Sequence, residues 1–334
     1  MTKTILVTGP DLHLKAAELV AQKGYQTVHT PPYADAEVIA KRLVETGAEG
    51  LVSRMGRIDA SVMDAAPALK VISKHGVGVD NIDTAAAAER GIPVLVATGA
   101  NAVSVAEHAI ALMLATVKKL LPLDKSLREG RWEKPGFAGR ELGGSTLGLV
   151  GTGSIAQATA RMAKGLGMKL AGYDPFAPQE VFDGLGMTRC DSFEALLPVS
   201  DVLSLHCPLT AETRGILDAD AIAKLPTGAY VVNTARGGLI DEAALVEALK
   251  SGHLAGAGLD SFATEPPAAD HPFWDVSTLV VTPHIGGVTA QASARVGVTA
   301  VQGIFDVLEG RPIPPSRIVN RAQLAQPRHP LVEA

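Results

Sequence analysis

The chain has 334 residues, of which 47% are apolar and only 4% aromatic, a size and composition that predict two Ala/Val/Leu/Gly-rich domains. A net charge of −5 argues against general nucleic-acid binding, which needs a basic surface. Cys190 and Cys207 have no paired-ligand spacing, so neither a metal site nor a disulfide framework is indicated.

From the N-terminus, I-L-V-T (5–8) starts a strand at once, with no apolar leader core before it, and a cytoplasmic protein is expected. G-L-V-S (50–53), L-K-V-I-S (69–73) and I-P-V-L-V (92–96) read as further buried strands. Residues 11–21 and 36–44 carry apolar positions at helical spacing. Such alternation predicts a parallel sheet covered by helices on both faces. The longest apolar stretch, 102–121, contains Glu107, His108, Lys118 and Lys119, so a packed helix is predicted rather than a membrane span. One long helix is expected from about Val103 to Glu129, followed by the loop G-R-W-E-K-P-G-F-A-G-R (130–140).

Mid-chain, L-G-L-V-G-T-G-S-I-A (147–156) runs an apolar strand into a glycine turn and a helix. A second strand, L-A-G-Y-D (170–174), then ends on an acid. This order is that of a dinucleotide-binding βαβ unit. Gly151 permits the tight turn and Gly153 lets the backbone approach a pyrophosphate, while Ser154 and Ile155 open the helix that offers its N–H groups. Ala156 fills the third fingerprint position, which only requires close helix–strand packing. Asp174 is placed to accept hydrogen bonds from a ribose, and its charge would repel a 2′-phosphate. NAD is therefore expected over NADP.

Later strands are read at 201–206, 229–234, 255–260 and 278–282, completing a six-stranded sheet by about residue 283. The last helix, near 289–308, cannot belong to that sheet. The chain is expected to cross back, giving a discontinuous substrate domain (1–100 and 288–334) around an NAD-binding Rossmann domain (101–287). The fold class expected is α/β, with two doubly wound parallel-sheet domains.

Three polar residues fall at the C-terminal ends of strands, the edge where open α/β sheets bind ligands. N-T-A-R-G-G (233–238) presents Arg236, D-S-F-A-T-E-P-P (260–267) presents Asp260 and Glu265, and T-P-H-I-G-G (282–287) presents His284. Beside a nicotinamide, an arginine, a carboxylate and a histidine suffice to reduce a 2-oxo acid. Histidine suits the proton transfer because its ordinary pKa lies near neutrality. The planar fork of Arg236 matches a substrate carboxylate.

Taken with K-H-G-V-G-V-D-N-I-D (74–83), N-A-V-S-V-A-E-H (101–108), D-V-L-S-L-H-C-P-L-T (201–210) and V-N-T-A-R-G-G-L-I-D-E (232–242), the chain resembles the D-isomer-specific 2-hydroxyacid dehydrogenases. Within them it is most similar to the short-form D-3-phosphoglycerate dehydrogenases, and the substrate domain is expected to be flavodoxin-like, with the Rossmann domain inserted in it. The resemblance implies that Arg236, Glu265 and His284 are the catalytic trio and that Asp260 meets the nicotinamide carboxamide. It places His206, Pro208, Thr213, Thr234, Ala235, Gly286 and Gly287 around the cofactor. Val77 and Gly78 would offer N–H groups to the substrate carboxylate, and Arg54, with Arg57 and Lys74 nearby, would meet a substrate phosphate. Met55 stands where such enzymes carry a serine, which points to a smaller substrate such as hydroxypyruvate or glyoxylate, unless it only packs. A homodimer through the 103–129 helix is implied; Trp132 or Lys134 either reaches the partner's site or packs under its own loop. The alternative is an NADH-sensing, corepressor-like binding protein on the same fold. The partner expected is a small 2-oxo or 2-hydroxy acid, with neither nucleic acid nor membrane.

Overall fold

The computed structural model describes residues 3–324, 327 and 330–333, which divide into two compact units. One comprises residues up to Asn101 together with those from Val288; the other spans Ala102–Gly287.

In the first unit β1 (Lys3–Thr8), β2 (Tyr25–Thr30), β3 (Gly50–Ser53), β4 (Val71–Lys74) and β5 (Val94–Leu95) form a parallel sheet in the order β2-β1-β3-β4-β5. This is the flavodoxin-like winding. The apolar run of β1 is explained by burial on both faces. Ile5 and Val7 pack with Ala16, Val20, Ile304 and Phe305 on one side, whereas Leu6 joins Ile39, Leu43 and Leu51 on the other. Helix Ala290–Leu308 returns to cover β3 so closely that a Cβ on Gly50 would lie 2.5 Å from Ile304 Cγ2. Strand β2, Y-Q-T-V-H-T, is absent from the sequence reading because it is an edge strand, mostly half-exposed, with no continuous apolar run.

In the second unit the strands are β6 (Thr146–Val150), β7 (Lys169–Tyr173), β8 (Thr188–Arg189), β9 (Val202–Leu205), β10 (Ala229–Asn233), β11 (Leu254–Leu259) and β12 (Leu279–Val281). Their order, β12-β11-β10-β9-β6-β7-β8, is the Rossmann winding extended by one strand. The sheet thus has seven strands rather than the six expected, because β8 contributes only two residues and leaves no periodic signal. The single helix expected from about 103 to 129 is in fact two, Ala102–Val117 and Leu120–Arg128. They are separated by Lys119 at φ 52°, in the left-handed region. Pro122 accounts for the break: it lacks an N–H and its ring would clash with the carbonyl four residues back in an unbroken helix. No helix among the described residues is long and apolar enough to cross a membrane.

Asn320 fastens the last segment to the first sheet. Its Oδ1 accepts from Val94 N at 3.0 Å, and its Nδ2 donates to Ile92 O at 2.9 Å, all fully buried. Asn320→Ala would strand a buried donor and a buried acceptor, each costing roughly 1–3 kcal/mol. The expected result is a clear fall in the urea midpoint of the transition reported by first-unit probes; an unchanged midpoint would refute this assignment.

Candidate active site

The fingerprint turn after β6 is built by glycine. Gly151 sits at φ 90°, and a Cβ there would lie 3.0 Å from His206 O and 3.1 Å from Cys207 N. Gly153 is the N-cap of helix Ser154–Gly165, with no side chain capping that terminus and no atom within 4 Å of where its Cβ would stand. The N–H groups of the first turn, at Ser154, Ile155 and Ala156, therefore open onto a cradle that a side chain would fill, as a pyrophosphate requires. Ala156 is fully buried, as close packing demands.

At the end of β7 the Asp174 carboxylate is already oriented. Its Oδ2 accepts from Thr152 N at 2.8 Å and Thr152 Oγ1 at 3.0 Å, and its Oδ1 accepts from Phe176 N at 3.0 Å. His206 follows β9 and hydrogen-bonds Ser204 Oγ at 2.9 Å; burial pulls its pKa down to about 4, so the ring is neutral at pH 7. Pro208 and Thr213 are tied together, Thr213 Oγ1 donating to Pro208 O at 2.6 Å. Thr234 Oγ1 is buried without a hydrogen-bond partner. An unpaired buried hydroxyl and a bare helix terminus, on one sheet edge, fit a dinucleotide. Burial pushes the Cys207 thiol up to about 11, which makes it a packed thiol rather than a nucleophile.

Arg236 follows β10 in a turn held by Asn233, whose Oδ1 accepts from Ala235 N at 2.9 Å and whose Nδ2 donates to Arg236 O at 2.8 Å. Gly237 is obligatory here, since a Cβ would fall 1.9 Å from the backbone carbon of Phe262. The 260–265 loop then brings back Glu265, whose Oε1 accepts from Phe262 N at 3.0 Å. Its other oxygen lies 2.8 Å from His284 Nδ1. His284 itself holds φ 54°, an uncommon backbone for a residue with a Cβ.

Asp260, only 2% exposed, organises that conformation. Its Oδ1 accepts from Thr282 Oγ1 at 2.6 Å and from Ile285 N at 2.9 Å, and its Oδ2 accepts from Gly286 N at 2.7 Å. Gly286 is thus a partner of Asp260 as well as a predicted cofactor residue, and Gly287 ends the unit. Asn233, Thr282 and His108 were missed in the sequence. Thr282 and His108 act through contacts to residues distant in the chain, whereas Asn233 braces its own turn; only Asn233 and Thr282 carried a signal, as neighbours of Arg236 and His284.

The hydrogen bond that His284 Nδ1 donates to Glu265 raises the pKa of His284 above its ordinary value, against burial and the nearby Arg236 charge; the Glu265 and Asp260 charges add to the rise. Burial pushes Glu265 up, but bonds from His284 and the Phe262 N–H, with the His284 and Arg236 charges, outweigh it and leave the carboxyl below its ordinary value.

In the first unit, Arg54 follows β3 and its Nη1 donates to Pro10 O and Asp11 O, both at 2.6 Å. Lys74, at the end of β4, donates to Asn81 Oδ1 at 2.6 Å. Val77 and Gly78 lie in the loop after β4, with Val77 exposed. Trp132 is 69% exposed and lines, with Lys134, Leu123, Leu127 and Phe137, a surface recess.

The profile of the family described as "D-isomer specific 2-hydroxyacid dehydrogenase, NAD binding domain" matches residues 110–286. The D-3-phosphoglycerate dehydrogenase of Archaeoglobus fulgidus is 44% identical over 263 residues, covering 79% of this chain and 50% of its own length. The hydroxypyruvate reductase of Thermotoga maritima is 45% identical over 254 residues, 75% of this chain and 82% of its own. The crystal structure of the TT0316 protein of Thermus thermophilus superposes with a TM-score of 0.84 at 37% identity, covering 98% of this chain and 100% of that one. The chain spans about half the length of the phosphoglycerate dehydrogenase it matches.

Glu265→Gln removes the charge that favours imidazolium. The His284 ring should then titrate at lower pH than in the parent chain, nearer the ordinary value of about 6.5, followed by its NMR ring-proton shifts. No downward movement would mean that Glu265 is not its electrostatic partner.

Proposed function

The chain belongs to the D-isomer specific 2-hydroxyacid dehydrogenase family, and on that premise we propose that it is an NAD-dependent oxidoreductase interconverting a small D-2-hydroxy acid and its 2-oxo acid. The observation that carries this reading is the Glu265–His284 hydrogen bond of 2.8 Å at the sheet edge where Arg236 also emerges. Bound NADH supplies the hydride that the carbonyl carbon accepts. Arg236 holds the substrate carboxylate and stabilises the charge that grows on the carbonyl oxygen. His284, with Nδ1 held by Glu265, delivers the proton to that oxygen from Nε2. In the oxidation direction the same nitrogen takes the proton away.

The residues proposed to hold the cofactor are Gly151, Gly153, Ser154, Ile155, Asp174, His206, Pro208, Thr213, Thr234, Ala235, Asp260, Gly286 and Gly287, within a cofactor domain of 101–287. The substrate domain is proposed to be 1–100 with 288–334, where Val77, Gly78 and Arg54 meet the substrate. Its identity is proposed from the class that includes 3-phosphoglycerate, hydroxypyruvate and glyoxylate as one or the other redox partner. A cytoplasmic homodimer belongs to the same reading, the dimer being what the family resemblance implies. Relatives named as dehydrogenases and reductases favour this enzyme over a corepressor-like sensor.

The test is a panel of 2-oxo acids, including hydroxypyruvate, glyoxylate and 3-phosphohydroxypyruvate, assayed for NADH oxidation. Turnover should fall roughly 100- to 10,000-fold in His284→Ala, the range for losing a general acid. Because reduction needs the protonated ring, the rate should decline as pH rises through the elevated pKa of His284. Turnover unaffected by His284→Ala would sink the mechanism. Separately, Asp174→Ala should narrow the preference for NADH over NADPH by roughly tenfold, equivalent to about 1.4 kcal/mol; undiminished discrimination would show that another residue sets it.

A further inference from the structure

The turn that carries His284 is gripped from outside the trio. His108, on helix Ala102–Val117, places Nε2 2.8 Å from Thr282 Oγ1 and 3.3 Å from Asp260 Oδ1. The direction of these bonds follows from proton counting. The single hydroxyl proton of Thr282 is given to Asp260 Oδ1 at 2.6 Å, so Thr282 Oγ1 can only accept from the histidine. Nε2 therefore carries a proton, and it points at both oxygens. The ring also packs tightly: a Cβ on Gly286 would stand 3.3 Å from His108 Cδ2 and 2.9 Å from Asp260 Oδ2.

The connection to the chemistry is short. Asp260 binds the successive N–H groups of Ile285 and Gly286, immediately after the left-handed residue His284. Thr282 O accepts from His284 N at 3.0 Å, closing the turn from the other side. Both anchors of the turn, Asp260 and Thr282, are thus fixed by one ring on a different element.

We propose that His108 is a positioning residue for His284: by donating Nε2–H to the Thr282–Asp260 pair, it holds the 282–286 turn in the conformation that aims His284 Nδ1 at Glu265. The inference rests on the reading of His284 as the proton donor and extends it to a side chain that need not touch substrate. The ionisable groups acting on His284 are Glu265, Arg236 and Asp260, and of these His108 touches Asp260, which contributes least to the rise.

The experiment compares His108→Ala and His108→Gln in the full chain, the glutamine amide supplying a donor near the place of Nε2. The His284 ring is titrated by NMR, its signals assigned by their loss in His284→Asn. In His108→Ala the midpoint should fall by about 0.5 or more as the Glu265 bond loosens, and His108→Gln should restore most of it. In parallel, kcat for 2-oxo acid reduction at pH 8 should drop about tenfold in His108→Ala with KM changed less than about threefold. A His284 midpoint that stays put in His108→Ala, or that falls equally in both variants, overturns the proposal. A parent chain that oxidises NADH with no 2-oxo acid sinks the functional reading instead, while the titration still decides the positioning role.

Discussion

A carboxylate that is almost wholly removed from water sets the geometry at the reactive edge of the second unit. Asp260 is 2% exposed and accepts from one hydroxyl, two backbone N–H groups and a histidine. Withdrawing such a charge from solvent costs several kcal/mol unless donors surround it, so the turn that provides them is not free to relax. Two successive N–H groups converging on one oxygen pair form an anion-binding nest. Here its occupant is a side chain of the same protein. The strain of holding His284 at φ 54° is offset by satisfying this buried charge.

The same logic explains why chemistry collects at one rim. In a parallel sheet every strand ends on the same side, and β10, β11 and β12 each pass into a turn there. Arg236, Asp260 and His284 lie after those three neighbouring strands, and the loop from β11 returns Glu265 to the ring. Close backbone approach is the condition for this convergence. Gly237 allows the Arg236 turn to lie on Phe262, and Gly286 allows the His284 turn to reach Asp260. The glycines flanking the functional residues therefore serve packing as much as flexibility.

Elements with a continuous apolar run or a turn fingerprint could be read from the residue string, and those without could not. Strands β1, β3 and β9 are buried on both faces and announce themselves. Edge strand β2 and the two-residue β8 gain their identity from neighbours in space, which periodicity does not encode. Pro122 is a visible reason for the helix to break, inside an apolar run that otherwise suggests one continuous helix. At the site, Glu265 and His284 could be named because their residue types match a proton transfer. His108 could not, since a histidine in an apolar helix more often satisfies the core, and its meaning depends on Thr282, 174 positions away.

The first unit poses a different question of charge. Arg54 is held by the carbonyls of Pro10 and Asp11, neutral dipoles that fix the guanidinium without cancelling its charge. Lys74 is held likewise by the amide oxygen of Asn81, whose own nitrogen donates to Ser53 Oγ and Gly56 O. Cations immobilised in this way suit an anionic ligand, because little side-chain entropy remains to be lost when it binds. Beside them Met55 offers a thioether, which packs 3.5 Å from the position of a Cβ on Gly9 and can donate no hydrogen bond. What this corner offers an anion is the fixed charge of Arg54 and Lys74, with no hydroxyl added at position 55.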